Sequence, residues 1–265
     1  MAEPLLVVEG VSRRFGGLLA VNAASLSARA ARITALIGPN GAGKTTLFAV
    51  ISGFLKPSAG RVRYAGEDVT GEPPHRLARR GIARTFQIVQ PFAGLTVRDN
   101  ILVGAHNTAK SGYIANALRL PIVREEQREA DKRLYELLDL LDLRQVTDTP
   151  AGAIPFGWQK RVELARALMT RPKLLMLDEP AGGLNHSEVD ELAGLMRRVR
   201  QQLNISILLV EHHMNLVMRV SDKVVALEFG IKIADGTPDE VRAEPEVIRA
   251  YLGDTQEEDA HAGAA

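Results

Sequence analysis

The stretch Gly38-Pro39-Asn40-Gly41-Ala42-Gly43-Lys44-Thr45 constrains this chain more than any other. It fills the pattern G-x-x-x-x-G-K-[ST], and its surroundings fit. Ile33, Ala35, Leu36 and Ile37 before it form a short apolar run of strand character. From Gly43 the apolar spacing turns helical through Leu47, Phe48 and Ile51. Glycines let successive backbone N–H groups curl toward an anion without a Cβ clash. The following helix turns its unpaired N–H groups and positive dipole end to the same place. Lys44 adds a mobile charge for β- and γ-phosphates, and the Thr45 hydroxyl suits Mg²⁺. A Gly-rich turn that binds nothing is the alternative, and the strand and helix on either side argue against it. The expectation is a nucleotide site.

Downstream, apolar strands alternate with amphipathic helices. Lys173 to Leu177, Ile205 to Val210 and Lys223 to Leu227 read as buried strands, and Ser187 to Leu203 and His213 to Val220 as helices. Such alternation predicts a mostly parallel sheet with helices on both faces. Two of these strands end in chemistry. Leu177 is followed by Asp178 and Glu179, and Val210 by Glu211 and His212. Ligands of open α/β sheets gather at the strands' carboxyl ends, where the phosphate loop also lies. Asp178 can then reach Mg²⁺ through its shell, and Glu179 can orient or deprotonate a water. His212 is placed either to donate to a γ-phosphate oxygen or merely to face solvent. Gln87, after the strand Ile82 to Thr85, could touch Mg²⁺ or the water.

The rest of the chain fills in around this frame. Leu5 to Val8, Val11 to Phe15, Leu18 to Val21 and Ser25 to Ala28 read as short strands with polar breaks. Phe15, in a polar neighbourhood, could stack on an adenine ring or simply pack a small sheet. Arg61 to Tyr64 is a strand and His75 to Arg80 a short basic helix. Residues 104–124 show little period. Glu125 to Leu141 places Ala130, Leu134, Leu137, Leu138 and Leu141 on one helical face, so a helical subdomain is expected over about 95–170. Gln159 to Met169 reads as another helix, Glu228 to Asp235 as a hairpin, and Pro238 to Gly253 as short helices. The acidic end, 254–265, reads as a disordered tail.

Bulk composition narrows the partners. Lys plus Arg (33) nearly balances Asp plus Glu (32), so no basic field advertises nucleic acid. Zero cysteines exclude disulfides and thiolate metal sites. No signal peptide is visible, and no apolar run approaches the roughly 20 residues of a membrane helix.

GPNGAGKTT, RTFQ, IPFGWQKRVELARAL, LLMLDEPAGGLN and LLVEHHM follow one another as in the ATPase subunits of ABC transporters. The chain resembles their branched-chain amino-acid importer group from Leu6 to Gly253, IRAYLG near the end included. The resemblance implies an α/β P-loop NTPase core with a small antiparallel β subdomain and a helical signature subdomain. It implies ATP and Mg²⁺ as ligands, with Gly38 to Thr45 and Thr46 around the phosphates and Thr45, Gln87 and Asp178 around the metal. Phe15 becomes the adenine-stacking aromatic, Glu179 and His212 the catalytic pair with Gln87. Gly182-Gly183-Leu184-Asn185 becomes the segment that crosses a head-to-tail dimer.

Each site of such a dimer takes a signature segment from the partner chain, here Pro155, Gly157, Trp158 and Gln159. Where the family usually has L-S-G-G-Q, this chain reads Ile154-Pro155-Phe156-Gly157-Trp158. Pro155 lacks the hydroxyl and the N–H that a serine would offer. The implied partners are membrane permease subunits, a second ATPase subunit (identical or related) and, indirectly, a periplasmic or extracellular solute-binding protein, at the cytoplasmic face of the cell membrane. Two other readings stay open: a soluble ABC-type ATPase acting on macromolecules, and a low-activity nucleotide-binding module, which Pro155 would favour.

Overall fold

The computed structural model describes residues 3–85, 91–107 and 121–251. It opens with two long antiparallel strands, β1 (Leu6–Phe15) and β2 (Leu18–Ala28). The sequence pattern predicts two shorter strands in place of each. Both run on because hydroxyls satisfy the amides at their irregular points: Gly10 N–H donates to Ser25 Oγ at 2.8 Å and Ala23 N–H to Ser12 Oγ at 2.9 Å. Ala23 sits there at φ 49°, and the pairing shifts register between Val8 and Val11. The polar breaks are bulges rather than ends. Next come β3 (Ile33–Ile37), α1 (Lys44–Ile51), β4 (Ala59–Tyr64), β5 (Glu67–Asp68), α2 (Pro74–Arg80) and β6 (Ile82–Arg84). Among the described residues, one sheet is antiparallel and four-stranded, in the order β2-β1-β4-β5.

Three helices then pack on one another: α3 (Val97–Val103), α4 (Pro121–Leu140) and α5 (Phe156–Met169). Leu134, Leu137, Leu138 and Leu141 are fully buried, which is the helical face their spacing predicted. Among the described residues, α4 runs from Pro121, four residues before the expected Glu125. Helix α5 starts at Phe156, not Gln159. Its Pro155 and Gly157 look like breakers in sequence, yet a proline just ahead of the first turn costs no hydrogen bond.

The second half supplies β7 (Leu174–Asp178), α6 (His186–Leu203), β8 (Ser206–Val210), α7 (Met214–Val220), β9 (Lys223–Glu228), β10 (Ile231–Gly236) and α8 (Pro238–Ala243). A further helical stretch covers 245–251. The larger sheet runs β10-β9-β3-β8-β7-β6, parallel except for β10. Because both faces are covered, β3, β7 and β8 are buried at every residue.

The alternation of side chains sorts the core into two layers. Leu36, Leu208, Val210, Leu174 and Met176 join Leu47, Phe48 and Ile51 of α1 and the inner face of the antiparallel sheet. Ile33, Ala35, Ile37, Leu175, Leu177, Ile207 and Leu209 join α3 to α7 on the other side. Helix α1 is therefore held between two sheets, and the loop that opens it has little freedom to move. Among the described residues, no helix is long and apolar enough to cross a membrane.

Candidate active site

Strand register brings the chemistry to one edge. Leu36 of β3 and Asp178 of β7 both pair with Val210 of β8. The residues that come next, Ile37 and Gly38, Glu179, and Glu211 with His212, therefore leave the sheet side by side at its carboxyl end.

The phosphate loop is fastened from outside. Gly43, the N-cap of α1, has φ 90°, and a Cβ there would lie 2.4 Å from the Ala20 carbonyl oxygen. Only glycine lets β2 approach this closely. Gly230, in the β9–β10 turn, donates to Ala42 O at 3.0 Å and accepts from Asn22 N–H at 2.8 Å. Lys44 is buried, and its Nζ donates to the carbonyls of Gly38 (2.7 Å) and Pro39 (2.8 Å). Its charge is thus held at the loop rather than spread into solvent. Thr45 is exposed and Thr46 partly so, both in the first turn of α1.

Asp178 is 3% exposed. Its Oδ2 accepts from Arg84 Nη2 at 2.8 Å, while Oδ1 is buried with no protein partner. Burial pushes its carboxyl above the usual range, against the pull of Arg84. An orphaned, buried carboxylate oxygen beside a phosphate loop fits a divalent cation, which would satisfy an acceptor otherwise costly to bury. Arg84 is itself clamped: Nη1 donates to Ser52 Oγ at 2.7 Å, and the guanidinium lies 4.9 Å and 5.1 Å from the ring centres of Phe48 and Phe54.

Glu179 is held in the left-handed region, φ 46°, with its N–H on Val210 O at 2.9 Å. Such strain in a non-glycine residue is seldom kept without a use. Its Oε1 lies 3.9 Å from Nδ1 of the half-exposed His212. Glu211, wholly buried, braces this corner: its carboxylate accepts from the N–H groups of Ala181 (2.7 Å), His212 (2.9 Å) and His213 (3.1 Å). The carboxylate and imidazole groups of Glu211, His212 and His213 lie close enough to hold a metal ion, but three amides already occupy that carboxylate. Lys160 Nζ donates to Pro180 O at 2.8 Å, and burial holds its pKa below the ordinary lysine range.

Phe15 ends β1, partly exposed, with the Arg13 guanidinium 4.7 Å from its ring centre. Pro155 is the exposed N-cap of α5, and its carbonyl accepts from Trp158 and Gln159 N–H (3.0 and 3.1 Å). Trp158 is half-buried against its own chain's core, and Gln159 Nε2 donates to Ile154 O at 3.0 Å. A Cβ on Gly157 would lie 2.9 Å from Glu188 Oε1 of α6, and one on Gly183 would lie 3.1 Å from the ring of the exposed Phe156. Asn185 caps α6 in a reciprocal pair with Glu188. Gln87 lies outside the described residues. Sequence reasoning passed over Arg84, although RTFQ contains it, and Glu211.

Known proteins agree on the kind of molecule this is. A family model described as "ABC transporter" matches residues 21–182, and one described as "Branched-chain amino acid ATP-binding cassette transporter" matches 232–256. The high-affinity branched-chain amino acid transport ATP-binding protein BraF of Pseudomonas aeruginosa is 44% identical over 254 residues, 96% of this chain and 100% of the relative. The LivG protein of Salmonella typhimurium, which carries the same description, is 45% identical with the same coverage. Among solved structures, an ATP-binding cassette of an ABC transporter in its ADP conformation superposes with a TM-score of 0.83 at 33% identity, covering 95% of this chain and 100% of the other. A nucleotide-free cassette gives 0.81 at 33% identity, covering 94% and 99%.

Proposed function

The chain belongs to the ATP-binding proteins of ABC transporters, in their branched-chain amino acid transport group, and from that premise we propose how its residues do the work. It is the ATP-binding subunit of an importer of branched-chain amino acids, and it hydrolyses ATP to drive transport.

The triphosphate lies along Gly38 to Thr46, with the amides and Lys44 meeting its β- and γ-oxygens. Thr45 and the free Oδ1 of Asp178 would hold Mg²⁺, with Gln87 as a further ligand. When bound, the ion neutralises charge on the β- and γ-phosphate oxygens. Glu179 accepts a proton from a water whose oxygen attacks the γ-phosphorus. The bond from phosphorus to the β–γ bridging oxygen breaks, and ADP leaves. His212 donates to a γ-phosphate oxygen, and Glu211 keeps it facing the site. Phe15 stacks on the adenine. Pro155, Gly157, Trp158 and Gln159 serve the site of a second ATPase subunit, identical or related. Residues of about 95–170 act as a helical subdomain that meets permease subunits at the cytoplasmic membrane face, with a solute-binding protein acting on the far side.

The observation that carries this reading is the orphaned Asp178 oxygen at the level of the phosphate loop, one residue from strained Glu179. Glu179→Gln should still bind MgATP but release phosphate at least ~100-fold more slowly, the lower range for losing a general base. Lys44→Ala should lose most binding. Wild-type turnover in Glu179→Gln would refute the mechanism.

A further inference from the structure

One contact ties the phosphate loop to the far end of the chain. The Tyr251 hydroxyl accepts a hydrogen bond from Gly38 N–H at 2.9 Å, across 213 residues of sequence. We propose that Tyr251 is a positioning residue for nucleotide binding, a strut by which the C-terminal helices fix the root of the phosphate loop. The inference rests on the nucleotide-binding reading of that loop.

Gly38 is the hinge between β3 and the curl of the loop. On one side of it no atom can be added: a Cβ would lie 2.2 Å from the Leu227 carbonyl oxygen of β9. Its own carbonyl takes the Lys44 ammonium at 2.7 Å. Gly38 lies just beyond β3, and its N–H donates to Tyr251 rather than within the strand ladder. Tyr251 therefore fixes the Ile37–Gly38 peptide plane, and the next plane, whose Gly38 oxygen holds Lys44, starts from that anchored point. A loop whose amides are oriented beforehand binds its anion without a further ordering cost.

The hydroxyl is delivered by a built element. Thr237 and Glu240 form a reciprocal cap that starts α8, and Val241 of α8 is buried. In the following helical stretch, 245–251, Val247 and Ala250 are buried and Tyr251 packs against the same core. Their spacing of three and four residues puts one face of that helix on the core and carries the ring to the loop. Ile248, off that face, is exposed.

The test uses the full chain with MgATP, measured by calorimetric titration and by ATPase assay with its membrane partner. Tyr251→Phe keeps the ring and removes the hydroxyl that accepts from Gly38 N–H. It should weaken MgATP binding about three- to tenfold, the range one net hydrogen bond supports. KM should rise by that factor, with kcat within about twofold, because the chemical groups are untouched. Ile248→Ala should leave both unchanged. In the wild-type chain the Gly38 amide should exchange slowly with solvent, and in Tyr251→Phe it should exchange faster. Wild-type affinity in Tyr251→Phe, or a freely exchanging Gly38 amide in the wild-type chain, overturns the proposal. If the wild-type chain bound no MgATP, the nucleotide reading would fail instead, so the two failures are distinguishable.

Discussion

Arg84 and Asp178 form an ion pair largely shielded from water. Asp178 is buried, and Arg84, partly buried, is packed against two phenylalanine rings. Removing one partner strands the other's charge where water cannot reach it. Arg84→Ala should therefore lower unfolding free energy by about 3–5 kcal/mol in urea titrations. A loss below ~1 kcal/mol, the scale of an exposed pair, would mean water reaches Asp178. Asp178 itself carries the opposite lesson. A carboxyl whose folded pKa is raised stabilises the fold only while protonated: that contribution is complete below its ordinary value of 3.8 and is lost as pH rises through the raised value. Above the raised value the ionised group costs stability, and a cation on Oδ1 relieves that cost. Adding Mg²⁺ to the ATP-saturated chain should raise Tm, by about 5–10 °C where the ion stands near 100 times its Kd. Asp178→Asn should abolish that increment while keeping the part due to ATP alone. An undiminished Mg²⁺ increment in the variant would put the ion elsewhere.

Helix ends decide which side chains meet at the site. Asn185 both begins α6 and closes the segment after Glu179, and its reciprocal pair with Glu188 (2.9 and 3.0 Å) fixes the turn between them. Asn185→Ala should cost about 1 kcal/mol, and Asn185→Asp, which keeps the accepting oxygen, a few tenths. Equal losses from both, measured in urea, would show the cap to be idle. Elements of this kind were legible in sequence because their causes are local. The loop needs its glycines, the buried strands need continuous apolar runs, and α4 needs its leucines at three- and four-residue spacing. What could not be read depends on distant partners. Nothing near Gly10 says that Ser25 will hold its amide and carry β1 onward. Nothing near Arg84 says that it will meet Asp178, ninety-four residues away. Tyr251 reaches Gly38 only after the whole sheet has formed. The start of α5 departs from the sequence reading for a different reason: proline breaks a helix in its interior but is tolerated at its start, where Pro155 is the N-cap.

At the scale of the molecule, the site edge of the sheet carries aromatics that this chain leaves partly uncovered, Phe15 and Phe156 among them. A head-to-tail dimer closing on ATP would cover the signature side of that edge, and Trp158 is the reporter suited to see it. Its ring is the chain's sole indole, half-buried, 5.8 Å from the Arg161 guanidinium and two residues beyond exposed Phe156. Closure that removes water from Phe156 also removes it from the open side of the indole, which shifts and protects its emission. In Glu179→Gln, with its partner subunit where one is needed, MgATP should shift the emission and lower quencher access. The effect should grow with protein concentration and vanish in Lys44→Ala. Phe156→Ala should require a higher protein concentration for the same change, since a few buried anchors carry most of an interface's binding energy. A dimer seen by light scattering, with emission and quenching unaltered, would mean that the first turn of α5 stays open to solvent when two chains join, and that Pro155 and its neighbours do not close over the partner's nucleotide.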